Sequence, residues 1–149
     1  MRSTLIVIVT AVVSFGTVLG AEKKIGSQDL PPAVLKAVPA ETKGAEIKGY
    51  NQETEKGKTF YEVETMLNGK GRDVLFNSSG TVVEVEEEVA LDGIPPAAKA
   101  AIEKRATNAK INKIESVTRG QSVSYEAEIT SKSGKRSEIA VKADGSVMK

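Results

Sequence analysis

The chain has 149 residues, with 21 Lys and Arg against 20 Asp and Glu, no His, no Cys, no Trp and only three Tyr and three Phe. Without imidazole or thiol there is no cysteine nucleophile, no Ser-His-Asp triad and none of the nitrogen and sulfur ligands that structural zinc and haem use, so any chemistry must rest on carboxylate, Lys, Ser, Thr or Tyr. A net charge of +1 with so few aromatics also excludes a dedicated nucleic-acid binder, which carries a basic excess and stacking residues.

The chain opens with Arg2, an apolar core of about fifteen residues from Leu5, and the small-residue exit Thr17-Val18-Leu19-Gly20. This pattern predicts a secretory signal peptide over 1–20, cut after Gly20 or Ala21, and it falls short of the ~20 residues that span a bilayer. A periplasmic or secreted product is expected, with no stable membrane anchor once the signal is removed. Removing Arg2 makes the basic and acidic residues equal in number, and the absence of Cys leaves the fold to be held by its own core.

After a short lead over 21–28, the chain matches itself at an offset of 64 residues. Leu30-Pro31-Pro32-Ala33 aligns with Ile94-Pro95-Pro96-Ala97, Ile47 with Ile111, and Tyr61-Glu62-Val63-Glu64 with Tyr125-Glu126-Ala127-Glu128. After a one-residue slip in a turn, Val74, Phe76, Gly80 and Val82 pair with Ile139, Val141, Gly145 and Val147. The expected organisation is therefore a tandem duplication, with unit one over 29–89 and unit two over 90–149.

Each unit reads as one helix followed by an antiparallel meander. Asp29 and Asp92 stand where a carboxylate caps a helix start, and the prolines after them suit a first turn. Helix one is expected to end near Val38, stopped by Pro39; helix two runs through 97–105, with Ala98, Ala101, Ile102 and Arg105 on one stripe that packs on the sheet. Strands are predicted over 46–52, 59–66, 72–77 and 81–86, and over 110–117, 122–130, 137–142 and 146–149. Gly69 and Gly134 mark hairpin tips, and Gly80 and Gly145 mark the closing turns. The run Glu84-Val85-Glu86-Glu87-Glu88-Val89 reads as an exposed strand end leading into the linker. Asn77-Ser78-Ser79 is turn chemistry rather than a glycosylation acceptor. Two such units predict an α+β fold, one antiparallel sheet with both helices on one face.

The carriers Leu30-Pro31-Pro32-Ala33-Val34, Gly57-Lys58-Thr59-Phe60-Tyr61-Glu62-Val63-Glu64 and Asn77-Ser78-Ser79-Gly80-Thr81-Val82, with their second-unit counterparts, resemble the PepSY-like family, also described as beta-lactamase-inhibitor-like. The resemblance implies a small exported bacterial protein with two α-β repeats side by side in a continuous sheet. It also implies action by binding other proteins, since better-known relatives are inhibitors or regulatory domains attached to peptidases. Inhibitors of this architecture generally carry disulfides and an aromatic-rich face, which this chain lacks.

Strand alternation predicts the surface that would do the binding. With Tyr61, Val63 and Thr65 turned toward the helix, Phe60, Glu62, Glu64 and Met66 turn away; with Tyr125, Ala127 and Ile129 inward, Ser124, Glu126 and Glu128 turn away. Asp73, Leu75, Glu138, Ala140 and Lys142 join them. The helix-free face is expected to be an open acidic surface, with Phe60, Glu62, Glu64, Asp73, Leu75, Glu126, Glu128 and Glu138 as the partner-contacting residues. No catalytic residue, resident metal site or cofactor is expected. The expected function is non-enzymatic binding of another envelope or extracellular protein, as an inhibitor or regulator of a peptidase or other hydrolase. The alternative is a small-ligand or cation-binding sensor using the same acidic face.

Overall fold

The computed structural model describes residues 22–148, so the expected signal peptide lies outside the described residues. Strand β1 (Lys23–Ile25) precedes helix α1 (Pro32–Glu41), and β2 (Glu46–Glu55), β3 (Lys58–Leu67), β4 (Lys70–Asn77) and β5 (Val82–Glu88) follow. Helix α2 (Pro96–Arg105) then leads into β6 (Ala109–Arg119), β7 (Ser122–Ser131) and β8 (Arg136–Lys142). All eight strands form one sheet in chain order, and every neighbouring pair is antiparallel.

Short turns enforce that order. At Lys56-Gly57 and Asn68-Gly69 both central residues have positive φ, between 49° and 78°, the mirror-image turn whose twist matches that of paired strands. The connection from β5 to β6 instead runs through α2, yet the two strands still pair, Val85 with Thr118 and Glu88 with Glu115. The acidic run is thus a central strand between β4 and β6, not the exposed strand end that the sequence suggested. Local charge hid this, because only the non-local pairing with β6 makes β5 central.

Both helices lie on the same face. Pairing carries one face from Val74 through Val85 and Thr118 to Val123, and four residues further along β6 and β7 to Ile114 and Ala127. Under α1, Leu30, Val34 and Val38 pack with Val63, Val74 and Phe76; under α2, Ile94, Ala98 and Ile102 pack with Ile114, Ala127, Ile139 and Val141. The α2 stripe is buried at Ala98 and Ile102, with Ala101 packed beside them, while Arg105 is exposed.

Three local expectations change. Pro39 sits inside α1, which continues to Glu41; this close to the end, a missing N–H forfeits one bond without breaking the helix. Neither Asp29 nor Asp92 caps α1 or α2. Asp29 closes a turn over Ser27–Asp29, where its Oδ2 accepts the Gly26 N–H at 2.9 Å, and Asp92 pairs with Lys99 at 2.6 Å. Pro31 and Pro95 hold the cap positions without a side-chain bond, and Pro32 and Pro96 have no N–H to be capped. The expected strand at 146–149 reduces, among the described residues, to one bridge between Val141 and Val147.

The closing turns have the predicted chemistry. Asn77 Oδ1 accepts from Ser79 N and Thr81 N, and Asp144 Oδ1 from Ser146 N and Ser146 Oγ. Gly80 and Gly145 both have φ near +80°, and a Cβ on either would lie 2.5–2.6 Å from the carbonyl oxygen of Ala33 or Ala97 in the facing helix. Only glycine lets these turns tuck beneath the first helical turn.

Candidate functional site

On the helix-free face, register sets side chains from seven strands in one continuous array. Asn51 and Glu53 of β2 lie opposite Glu62 and Phe60 of β3; Glu62 and Glu64 oppose Leu75 and Asp73 of β4; Asp73 and Leu75 oppose Glu86 and Glu84 of β5. Glu86 opposes Val117 of β6, Glu115 opposes Glu126 of β7, and Glu126 opposes Ala140 while Glu128 opposes Glu138 of β8. Every predicted outward residue therefore does share one face.

What the alternation could not give is burial. Glu62 is 4% exposed, Glu84 6%, Glu86 5% and Glu126 4%, and Asn51 is fully buried. The expected open acidic surface is thus corrected: its rim is half-exposed, at Phe60, Glu64, Asp73, Leu75, Glu128 and Glu138, and its middle is closed. Neighbouring strands lie less than 5 Å apart, so long Glu, Lys, Arg and Leu side chains cover one another without a helix above them. Irregularities between Ile47 and Gly49, Leu75 and Phe76, and Ile111 and Lys113 further bend the strands.

Bonding in this layer is incomplete. Asn51 Nδ2 donates to Glu62 Oε2 and to Glu64 Oε1, both at 2.8 Å, and Thr65 N donates to Asp73 Oδ1 at 3.0 Å. Two cations serve the middle: Lys113 pairs with Glu115 at 2.7 Å, and Arg119 with Glu84 at 2.5 Å and Glu126 at 3.9 Å. Glu128 stands apart, beside Arg136 at 3.8 Å and Asn112. Asn51 Oδ1, Glu86 Oε2 and Glu126 Oε1 are buried without a hydrogen-bond partner.

Burial therefore dominates the acidities. It pushes Glu62 up to about 8 despite the Asn51 bond, Glu53 to about 7 with help from Glu22 and Glu84, and Asp73 to about 6 despite the Thr65 bond. Glu86 is driven far above the carboxylate range by burial and then by the adjoining Glu84, and Glu126 by burial and then by Glu138. Glu53, Glu62, Asp73, Leu75, Glu84 and Glu86 line a partly open cavity of about 10 Å³, room for roughly one water molecule. That is far below the roughly 300 Å³ from which organic-ligand pockets begin.

Sequence reasoning missed Asn51, Glu53, Glu84, Glu86, Glu115 and Arg119. Strands β2 and β6 carry too weak an alternation to reveal the facing of these residues. The bulges at Ile47 and Ile111 also shift each strand's inward set by one residue. The one available signal was the Glu84-x-Glu86-x-Glu88 alternation, which marks a strand with a single acidic face.

A single antiparallel sheet with two helices on one face and a polar opposite face defines an α+β protein. The family model described as beta-lactamase-inhibitor-like, PepSY-like matches residues 59–149, and the chain belongs to that PepSY-like family. Among solved structures, it is similar to a proposed periplasmic protein of Bacteroides eggerthii, at 17% identity and a TM-score of 0.66, covering 80% of this chain and 86% of that one. A DUF2874 family protein of Bacteroides uniformis gives 16% identity and a TM-score of 0.64, with coverage of 80% and 86%. A BLIP-like protein of Bacteroides fragilis gives 17% and 0.58, with coverage of 80% and 84%. None of the curated proteins matches the chain. Among the described residues, no helix is long and apolar enough to cross a membrane.

Proposed function

We propose that the protein is an exported, non-enzymatic binding protein whose helix-free face receives a basic segment of another envelope or extracellular protein, acting as a regulator or inhibitor of a peptidase or other hydrolase. The observation that carries this reading is the imbalance of that face: Lys113 and Arg119 serve a layer holding Glu53, Glu62, Glu64, Asp73, Glu84, Glu86, Glu115 and Glu126. Half-exposed Glu64, Asp73, Glu128 and Glu138 are the groups a partner's Lys or Arg would meet, with Phe60 and Leu75 offering apolar contact beside them. Buried Glu62 and Glu126 lie beneath these groups and make no contact with the partner. Membership of an inhibitor-like family, and the periplasmic description of a structural neighbour, support both the binding role and the compartment.

The tandem reading belongs to the same proposal. Two units of one ancestral helix-plus-meander, 29–89 and 90–149, would explain why the bulges at Ile47 and Ile111 and the tucked glycines Gly80 and Gly145 recur in equivalent places.

Titrating the mature chain with Lys- and Arg-rich peptides, by fluorescence anisotropy in chelator, tests the binding face. Saturable binding that weakens with salt and in Glu64→Gln and Glu128→Gln is expected. Equal affinity for neutral peptides, or binding unchanged in both variants, would remove the acidic face from the function. Inhibition of a hydrolase that binds the mature chain, measured with the same variants, then tests the regulatory part.

A further inference from the structure

Two groups of three carboxylates converge on the helix-free face, Glu62 with Asp73 and Glu86, and Glu22 with Glu62 and Glu64. In each group, one oxygen per residue lies within 4.8 Å of the others. Acidic clusters are common on protein surfaces, so proximity alone assigns nothing. The first group differs because Glu86 is 95% buried by its 5% exposure, lines the 10 Å³ cavity together with Glu62 and Asp73, and leaves Oε2 without any partner. Fully buried Asn51, hydrogen-bonded to Glu62, leaves its own Oδ1 unpartnered as well. Unmatched buried acceptors are rare in native proteins and point to a missing donor or cation.

The surroundings narrow what that cation can be. Among the described residues, no ion pair reaches Glu62, Asp73 or Glu86, since Lys113 and Arg119 are engaged by Glu115, Glu84 and Glu126. A cavity of about 10 Å³ admits one water-sized occupant and not an ammonium on its four-carbon stem. Asn51 occupies one oxygen of Glu62 and Thr65 one oxygen of Asp73, which leaves one on each, and the unpartnered Oε2 of Glu86, for the cavity. An all-oxygen donor set without imidazole or thiol suits a hard cation. Magnesium keeps several of its waters and is held by one or two carboxylates, whereas calcium accepts a shell of protein oxygens. Three converging carboxylates around room for one water-sized occupant therefore suit calcium.

We propose that Glu62, Asp73 and Glu86 form a divalent-cation site on the helix-free face, selective for calcium over magnesium, beside Glu53 and Glu84, which line the same cavity. This departs from the expectation of no resident metal and gives residues to the cation-binding alternative that the acidic face suggested. It rests on Glu62 and Glu86 of the buried middle and shares only Asp73 with the rim that meets the partner, so it stands apart from the partner reading.

The test uses the full mature chain, freed of metal by chelation, with calcium or magnesium added at pH 7.5. Calorimetry is expected to show one saturable calcium site, with a calcium-dependent rise in melting temperature and at least tenfold weaker magnesium binding. Glu86→Gln and Asp73→Asn should each weaken calcium binding by tenfold or more while keeping the native circular dichroism spectrum. Glu128→Gln, on the rim, should bind calcium as the parent does. Absence of saturable calcium binding to the parent chain overturns the proposal, and so does parental affinity in both Glu86→Gln and Asp73→Asn. Loss of peptide binding with calcium binding intact would refute the partner reading alone.

Discussion

At the scale of single residues, this protein spends polar side chains where a sheet face ordinarily meets water. Glu126 illustrates the consequence. It is flanked by Glu138, Glu84 and Glu115, with Arg119 as the nearby cation, and burial first and Glu138 second raise its pKa well above the ordinary 4.5. The folded chain therefore holds a proton that the unfolded chain releases near pH 4.5, so this group's contribution to stability is full below that pH. The contribution is lost progressively as the pH rises from there through the folded pKa. Glu126→Gln, which is uncharged at every pH, is expected to raise the melting temperature at pH 8 and change it little at pH 4. An equal shift at both pH values would show that Glu126 carries no such ionisation cost.

At the scale of elements, the meanders are fixed by glycine at places where a turn meets a helix. Gly145→Ala would combine a φ of +81° with a Cβ 2.6 Å from the Ala97 carbonyl oxygen. Together, strain and displacement are expected to cost about 1–3 kcal/mol in chemical denaturation. The same substitution at Gly134, also at positive φ but with open space around it, should cost less. Equal losses at the two sites would mean that backbone conformation alone, and not the approach to α2, sets the requirement. These glycines were legible in sequence as turn residues, but the neighbouring helix was not, because Gly80 and Ala33 are brought together only by the fold.

Across the whole molecule, the sheet runs without a break from β4 through β5 and β6 to β7. Arg119 of β6 reaches Glu84 of β5 and Glu126 of β7, linking the first meander to the second. Two units of about 60 residues would each be marginal alone, so a single cooperative unfolding transition is expected. Tyr50 and Tyr61 pack against the first core and Tyr125 against the second. Denaturation followed by tyrosine fluorescence in Tyr125→Phe, and in the Tyr50→Phe/Tyr61→Phe double variant, should give coincident midpoints. Midpoints that separate would mean the two cores unfold independently.

The sequence by itself determined the helices, the meander strands to within a few residues, the turn chemistry of Asn77 and Asp144, and which residues of β3, β4, β7 and β8 share the helix-free face. Each of these follows from short-range rules: a period of two along a strand, glycine where φ is positive, proline at a helix start. Tertiary structure alone decided that β5 is a central strand, that Glu62, Glu86 and Glu126 are buried, and that Glu62, Asp73 and Glu86 meet around one small cavity. Those outcomes depend on which strands become neighbours across a helical connection and on bulges that shift facing by one residue. Burial is the sum of what many distant residues place over a side chain, and no local pattern encodes it.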